Sequence, residues 1–417
     1  MKTARLIFAS VVITKILLAP VAPAHAITFN IHNSGGFTTG SDVYKGFMAA
    51  AAYWSSVLTD NVTINLDVGY VPMSTGVLGT TSSHLTSVSA AAVEAALRRD
   101  ATSALDARAV ANLPALSPAG GVSVITSGYA NAVRKTGVNV AAKILDTDDS
   151  ANNKSLAITS ANAKALGFTG LVGSDASLRF SSNFAFDFNP RGGIGANSYD
   201  FVGIAVHEIG HALGFISGVD TYDYFGGRGP GAPTSLNLNT FIVASTLDLF
   251  RYAGDPTNLV PGTAPVLDWS VGTAAWFSVD GGATRLDTGS GPALFSTGEF
   301  TGDGHQASHW TDNGYGRPIA DCQSGTPARG LMDPTSGKCE MLALSSLDFA
   351  AFDAIGWNLA GSVRDIGNMR ITSAQIAVLG QIDAIPEPAS WALLALGFGG
   401  IGGVLRRRPR RLRPFEE

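Results

Sequence analysis

Apolar positions along the chain change period several times, and each change predicts an element. "ITFNI" (27–31) and "VTINLDVGY" (62–70) alternate as half-buried strands do. Between them, "DVYKGFMAAAAYWSSVLTD" (42–60) repeats at helical spacing, with Ser41 or Asp42 as its cap. "SVSAAAVEAALRRD" (87–100) predicts a second helix. Short strands are expected over "GVSVITS" (121–127) and "SLAITSA" (155–161), and a longer one over "ASLRFSSNFAFDF" (176–188). A helix follows from about Ser198 to Ile216. From Gly218 to about Ala328 the chain is rich in Gly, Pro and Thr and offers one helix candidate, "NTFIVASTLDLFRYA" (239–253). "LSSLDFAAFDAIGW" (344–357) predicts a closing helix, with Ser345 as N-cap and Asp348 three residues on. Residues 361–384 read as a hairpin or a stalk, and no internal repeat is visible.

The two ends have patterns of a different kind. Lys2 and Arg5 precede an apolar run from Leu6 to Leu18, and "AHA" (24–26) offers small residues for cleavage. Residues 1–26 therefore read as a secretory signal peptide, too short in its apolar part for a spanning helix. At the other end, "PEP" (386–388) precedes an apolar stretch from Ala389 to Leu405 and then "RRRPRRLR" (406–413). Motif, short span and arginine stop, in that order, resemble the PEP-CTERM sorting signal of Gram-negative bacteria. The resemblance implies transient anchoring in the inner membrane with the arginines cytoplasmic, and cutting near the motif by an exosortase-type enzyme. The destination would be the cell envelope, the outer surface or the extracellular matrix.

Setting both ends aside changes the charge. Without three cations of the leader and six arginines and three glutamates of the tail, 19 Lys+Arg face 30 Asp+Glu, a net of about −11. That argues against nucleic acid as a partner. The two cysteines, Cys322 and Cys339, read as a disulfide in an oxidising compartment, and closing so short a loop contributes about 3 kcal/mol.

Candidate chemistry is concentrated in "VHEIGHALGFISGVD" (206–220). His207 and His211 stand four apart, on one face of a helix, where they can share a metal. Val202, Ala205, Ile209, Ala212, Leu213 and Ile216 fall on the opposite face, so one side should belong to the core and the other to a cleft. Imidazole donors with a position left for water point to Zn2+, and Glu208, directly after the first histidine, is placed to act as general base.

Two histidines do not complete such a site. No Glu occurs between Glu208 and Glu299, which counts against a glutamate ligand from the following helix. "HEIGHALGF" instead resembles the metzincins, with Gly214 at the glycine where their active-site helix ends. Ser217 stands where the short form of that motif has its third ligand. Leishmanolysin-like metzincins depart in the same way: a long insertion follows the glycine, and a distant histidine completes the site. Here "GHQASHW" selects His309, with Asp220 and then His305 as alternatives, and "GLMDPT" supplies Met332 for the methionine turn. Asp312 is within sequence reach of His309 as a partner for its second ring nitrogen.

Together these features imply an α+β, metzincin-like, two-lobed catalytic domain over residues 27–359. It would have a mixed sheet, an active-site helix, a methionine turn and a C-terminal helix, followed by a linker or terminal hairpin (360–385) and the sorting signal (386–417). The expected activity is zinc-dependent endopeptidase action on protein or peptide substrates. The alternative is a catalytically weak or inactive surface or matrix protein that keeps the fold.

Overall fold

The computed structural model describes residues 26–227, 229–255, 259, 265–288, 292–312, 329–361 and 367–382. The leader, the sorting tail and Cys322 lie outside these residues. A single cysteine, Cys339, is thus described, and no disulfide is formed among the described residues.

The chain opens with strand β1 (Thr28–Gly35), helix α1 (Asp42–Val57) and strand β2 (Thr63–Val71). Ser41 caps α1 by accepting from the Tyr44 N–H, as its position predicts. β3 (Gly79–Ser83) and β4 (Leu85–Ser89) follow, so the helix expected from residue 87 is shorter: α2 is Ala90–Asp100, capped by Ser89. Next come α3 (Ala104–Ala111), the hairpin β5 (Val124–Asn131) and β6 (Thr136–Asp146), α4 (Ala151–Lys154), β7 (Ser155–Thr159) and α5 (Ser160–Ala165). The long strand expected over 176–188 divides into β8 (Ala176–Ser181) and a short β9 (Phe186–Asp187), which pairs with β10 (Tyr199–Asp200).

Helix α6 (Phe201–Leu213) carries the two motif histidines. Its N-cap is Asp200, whose carboxylate accepts from Gly203 N at 2.9 Å and from Leu342 N at 2.9 Å. Gly214 ends it at φ 121°, a backbone conformation that glycine adopts without steric cost. α7 (Val219–Gly226) follows directly. The helix expected over 239–253 does not form. Two 3-10 turns, Leu238–Thr240 and Leu247–Phe250, lead into β11 (Arg251–Ala253), which pairs with β12 (Val266–Leu267) and β13 (Trp276–Phe277). β14 (Ala343–Ser345) leads into α8 (Ser346–Ala354), whose Ser345–Asp348 capping box is formed. Instead of a hairpin or bare linker, the last segment supplies β15 (Arg370–Thr372), paired with β14, and α9 (Ser373–Ile382), packed on α1.

The fold is mixed α+β with several small sheets. The largest has the order β1-β2-β8-β3, with β1, β2 and β8 parallel and β3 antiparallel at the edge. One apolar core runs through the molecule: Val202, Ala205, Ile209 and Leu213 of α6 join Phe47 and Trp54 of α1 and Phe349 and Phe352 of α8. α6 departs from expectation on its other face. Ile204, Glu208 and His211 are buried too, because β3 lies over the side expected to face a cleft.

Among the described residues no helix is long and apolar enough to cross a membrane.

Candidate metal centre

The helix spacing puts His207 and His211 one turn apart, and the loop after residue 304 brings His309 to them across 98 residues of chain. His211 Nε2 lies 3.0 Å from His207 Nε2 and 3.1 Å from His309 Nε2. Each ring is oriented by its other nitrogen. His207 Nδ1 is 2.8 Å from the Leu331 carbonyl oxygen, His211 Nδ1 2.7 Å from that of Phe215, and His309 Nδ1 3.1 Å from that of Gln306. A carbonyl oxygen only accepts, so each Nδ1 donates its proton and each Nε2 presents a bare lone pair.

Three lone pairs converging in this way repel one another unless a cation lies between them. Burial holds all three imidazoles below their ordinary pKa, His211 to about 3, so they stay neutral and able to ligate. Nitrogens about 2.0–2.1 Å from a tetrahedral zinc stand about 3.3 Å apart, close to the observed spacing. The donor set, the protonation pattern and the carbonyl partners therefore fit a metal ion.

Met332 lies beneath the helix. It is fully buried, and a Cβ on Gly210 would stand 2.7 Å from its Sδ, so only glycine lets α6 approach this closely. The turn that carries Met332 is held by Asp348. Its carboxylate accepts from Leu331 N (2.8 Å), Met332 N (3.2 Å), Trp310 Nε1 (2.9 Å) and Ser345 N (2.7 Å). One side chain thus fixes the carbonyl that orients His207 and the residue that follows His309. Asp348→Ala would leave these buried donors unpaired. It is expected to destabilise the protein by at least about 3 kcal/mol, read as a lower midpoint in urea unfolding.

Glu208 is buried beside β3. The Thr81 hydroxyl lies 2.7 Å from its Oε2 and 2.8 Å from its main-chain oxygen. Burial raises the Glu208 pKa to about 7, against the lowering effect of the Thr81 hydrogen bond.

The alternative ligands are engaged elsewhere. Asp220 accepts from Ala307 N and Ser308 N, at 2.6 and 3.2 Å. His305 Nε2 faces Asp312 at 3.3 Å. The expected pairing of Asp312 with His309 is therefore corrected: the Gln306 carbonyl takes that place. Thr81 and the three carbonyl partners had no sequence signal, since main-chain oxygens are common to every residue. Asp348 was legible only as a helix cap.

Comparison with known proteins adds one match. The PEP-CTERM protein-sorting motif matches residues 384–411. No curated protein and no solved structure matches the chain. The chain is thus an exported, surface-sorted protein of a Gram-negative bacterium, processed by an exosortase, with a buried group of three histidines that could hold a metal ion.

Proposed function

We propose that the protein is an exported zinc-dependent endopeptidase of the metzincin type, with a leishmanolysin-like distant third ligand. His207, His211 and His309 would hold the metal, Glu208 would be the general base, and residues 27–359 would form the catalytic domain. The observation that carries this reading is the convergence of three Nε2 lone pairs next to a buried glutamate that the fold could otherwise replace with an apolar residue.

A zinc ion held there would supply a Lewis acid that acidifies water and polarises a peptide carbonyl. The remaining work falls to the chain. Glu208 takes a proton from the attacking water on its carboxylate and passes it to the leaving amine. Its raised pKa suits both halves of that task near neutral pH. Thr81 holds Oε2 in place. β3 supports substrate binding by position: it is a sheet edge that touches Glu208 through Thr81, and an edge strand can pair with an extended peptide.

Thr81→Val tests the base directly. The hydroxyl lowers the Glu208 pKa, so its removal raises it. The acidic limb of the kcat/KM profile for peptide cleavage should then move to higher pH; an unmoved limb contradicts the role given to Glu208.

The function itself is tested by casein cleavage by the purified protein, before and after chelation and after zinc is restored. Cleavage that stops with the chelator and returns with zinc supports the reading. Bound metal without cleavage would favour a surface or matrix protein that keeps the site without turnover.

A further inference from the structure

Ser217 and Asp220 stand where a third ligand would be sought close to α6, and the structure gives both a different task. Asp220 Oδ1 accepts from Ala307 N at 2.6 Å, and Oδ2 accepts from Ser308 N at 3.2 Å and from the Ser308 hydroxyl. Ser308 Oγ in turn accepts from Ser217 N at 2.8 Å. The Ser217 hydroxyl donates to Asp248 Oδ1 at 2.6 Å, and Asp248 Oδ2 accepts from Gly218 N at 2.8 Å and Ser245 N at 2.7 Å. Ser217, Ser308 and Asp248 are all buried.

The chain of bonds ends one residue short of His309. From the other side, His309 O accepts from Ser296 N at 3.0 Å, and Ser296 O accepts from Arg251 Nη2 at 2.8 Å. The buried Arg251 guanidinium also favours the charged forms of Asp220 and Asp248. The segment just after α6 therefore touches two of the three histidines' supports: Phe215 O orients His211, and Ser217 and Asp220 grip the residues before His309.

We propose that the Asp220–Ser308–Ser217–Asp248 clamp positions His309, so that a ligand imported from 98 residues away is already in place when the metal arrives. This rests on the reading of the three histidines as a metal site. The physical need is clear. A histidine on a long excursion must be ordered before it can ligate, and a clamp that orders it beforehand removes that cost from metal binding. Asp220 is a positioning residue here, acting on the metal only through His309.

The test uses the full chain and two variants, Asp220→Asn and Ser308→Ala. The amide of Asp220→Asn places a donor against the N–H and O–H groups that the carboxylate accepts from. Ser308→Ala removes the hydroxyl that joins Ser217 to Asp220 and leaves the carboxylate's main-chain bonds in place. Zinc affinity is read by competition with a chromophoric chelator, site geometry by the visible absorption of the Co2+-loaded protein, and metal-free stability by urea unfolding in excess EDTA. Asp220→Asn should weaken zinc binding by about 10–100-fold and weaken the Co2+ bands; Ser308→Ala should do the same to a smaller degree. Lower metal-free stability with unchanged zinc affinity and Co2+ spectrum in both variants would overturn the proposal. If Asp220→Asn fails to fold, Ser308→Ala decides by the same two readouts. A wild-type protein that binds no zinc would instead refute the metal-site reading itself, and the clamp's role with it.

Discussion

Glu208→Gln is expected to lower kcat/KM for peptide hydrolysis by about 10²–10⁴-fold while the protein keeps its bound metal. The amide is nearly isosteric with the carboxylate, and the Thr81 hydroxyl can still donate to its oxygen. Packing against β3 should therefore survive. What is lost is the ability to take a proton from water. The three histidines are oriented by carbonyls of Leu331, Phe215 and Gln306, none of which depends on Glu208. Metal analysis beside the kinetic assay separates the two roles. A variant that loses its metal would show that Glu208 belongs to the ligand set; one that keeps full activity would remove it from the mechanism.

His309→Ala should abolish tight metal binding. Two imidazoles one helical turn apart remain, but the third donor is gone, and neither alternative is placed to replace it. Asp220 is engaged by Ala307 and Ser308, and His305 faces Asp312. The loss should exceed the 10–100-fold that follows from disturbing a ligand's hydrogen-bond partner. Equilibrium dialysis against zinc, run beside His305→Ala, checks it. Full metal in His309→Ala with loss in His305→Ala would transfer the third position to His305.

Much of the fold was legible where local signals agree with tertiary ones. α1 begins after Ser41 and α8 after Ser345, because a hydroxyl cap and an apolar period coincide at each. Residues 239–253 show the opposite case. Their apolar spacing suits a helix, yet Ser245 and Asp248 spend their side chains on each other's backbone and on Ser217 and Gly218. Those bonds compete with helical ones and leave two 3-10 turns. β3 was missed because "GTTSS" has no apolar alternation; its side chains at Thr81 and Ser83 face the polar side of α6 instead of the core.

The site divides along the same line. His207, Glu208 and His211 are carried by one helical repeat and could be read at once. His309 was one of three candidates until the geometry brought its Nε2 to that of His211. Thr81 and the carbonyls of Phe215, Gln306 and Leu331 act through contacts made only by the folded chain. The same holds for the second role of Asp348, which caps α8 and also grips the turn at Met332.

The central claim is that three imidazoles hold a zinc ion with a position left open for water. Zinc K-edge X-ray absorption on the purified protein tests it most directly. The account predicts stoichiometric zinc with three imidazole nitrogens and one further light atom at about 2.0–2.1 Å. A zinc-free protein, or a shell that contains sulfur or lacks the three-imidazole signature, would contradict it.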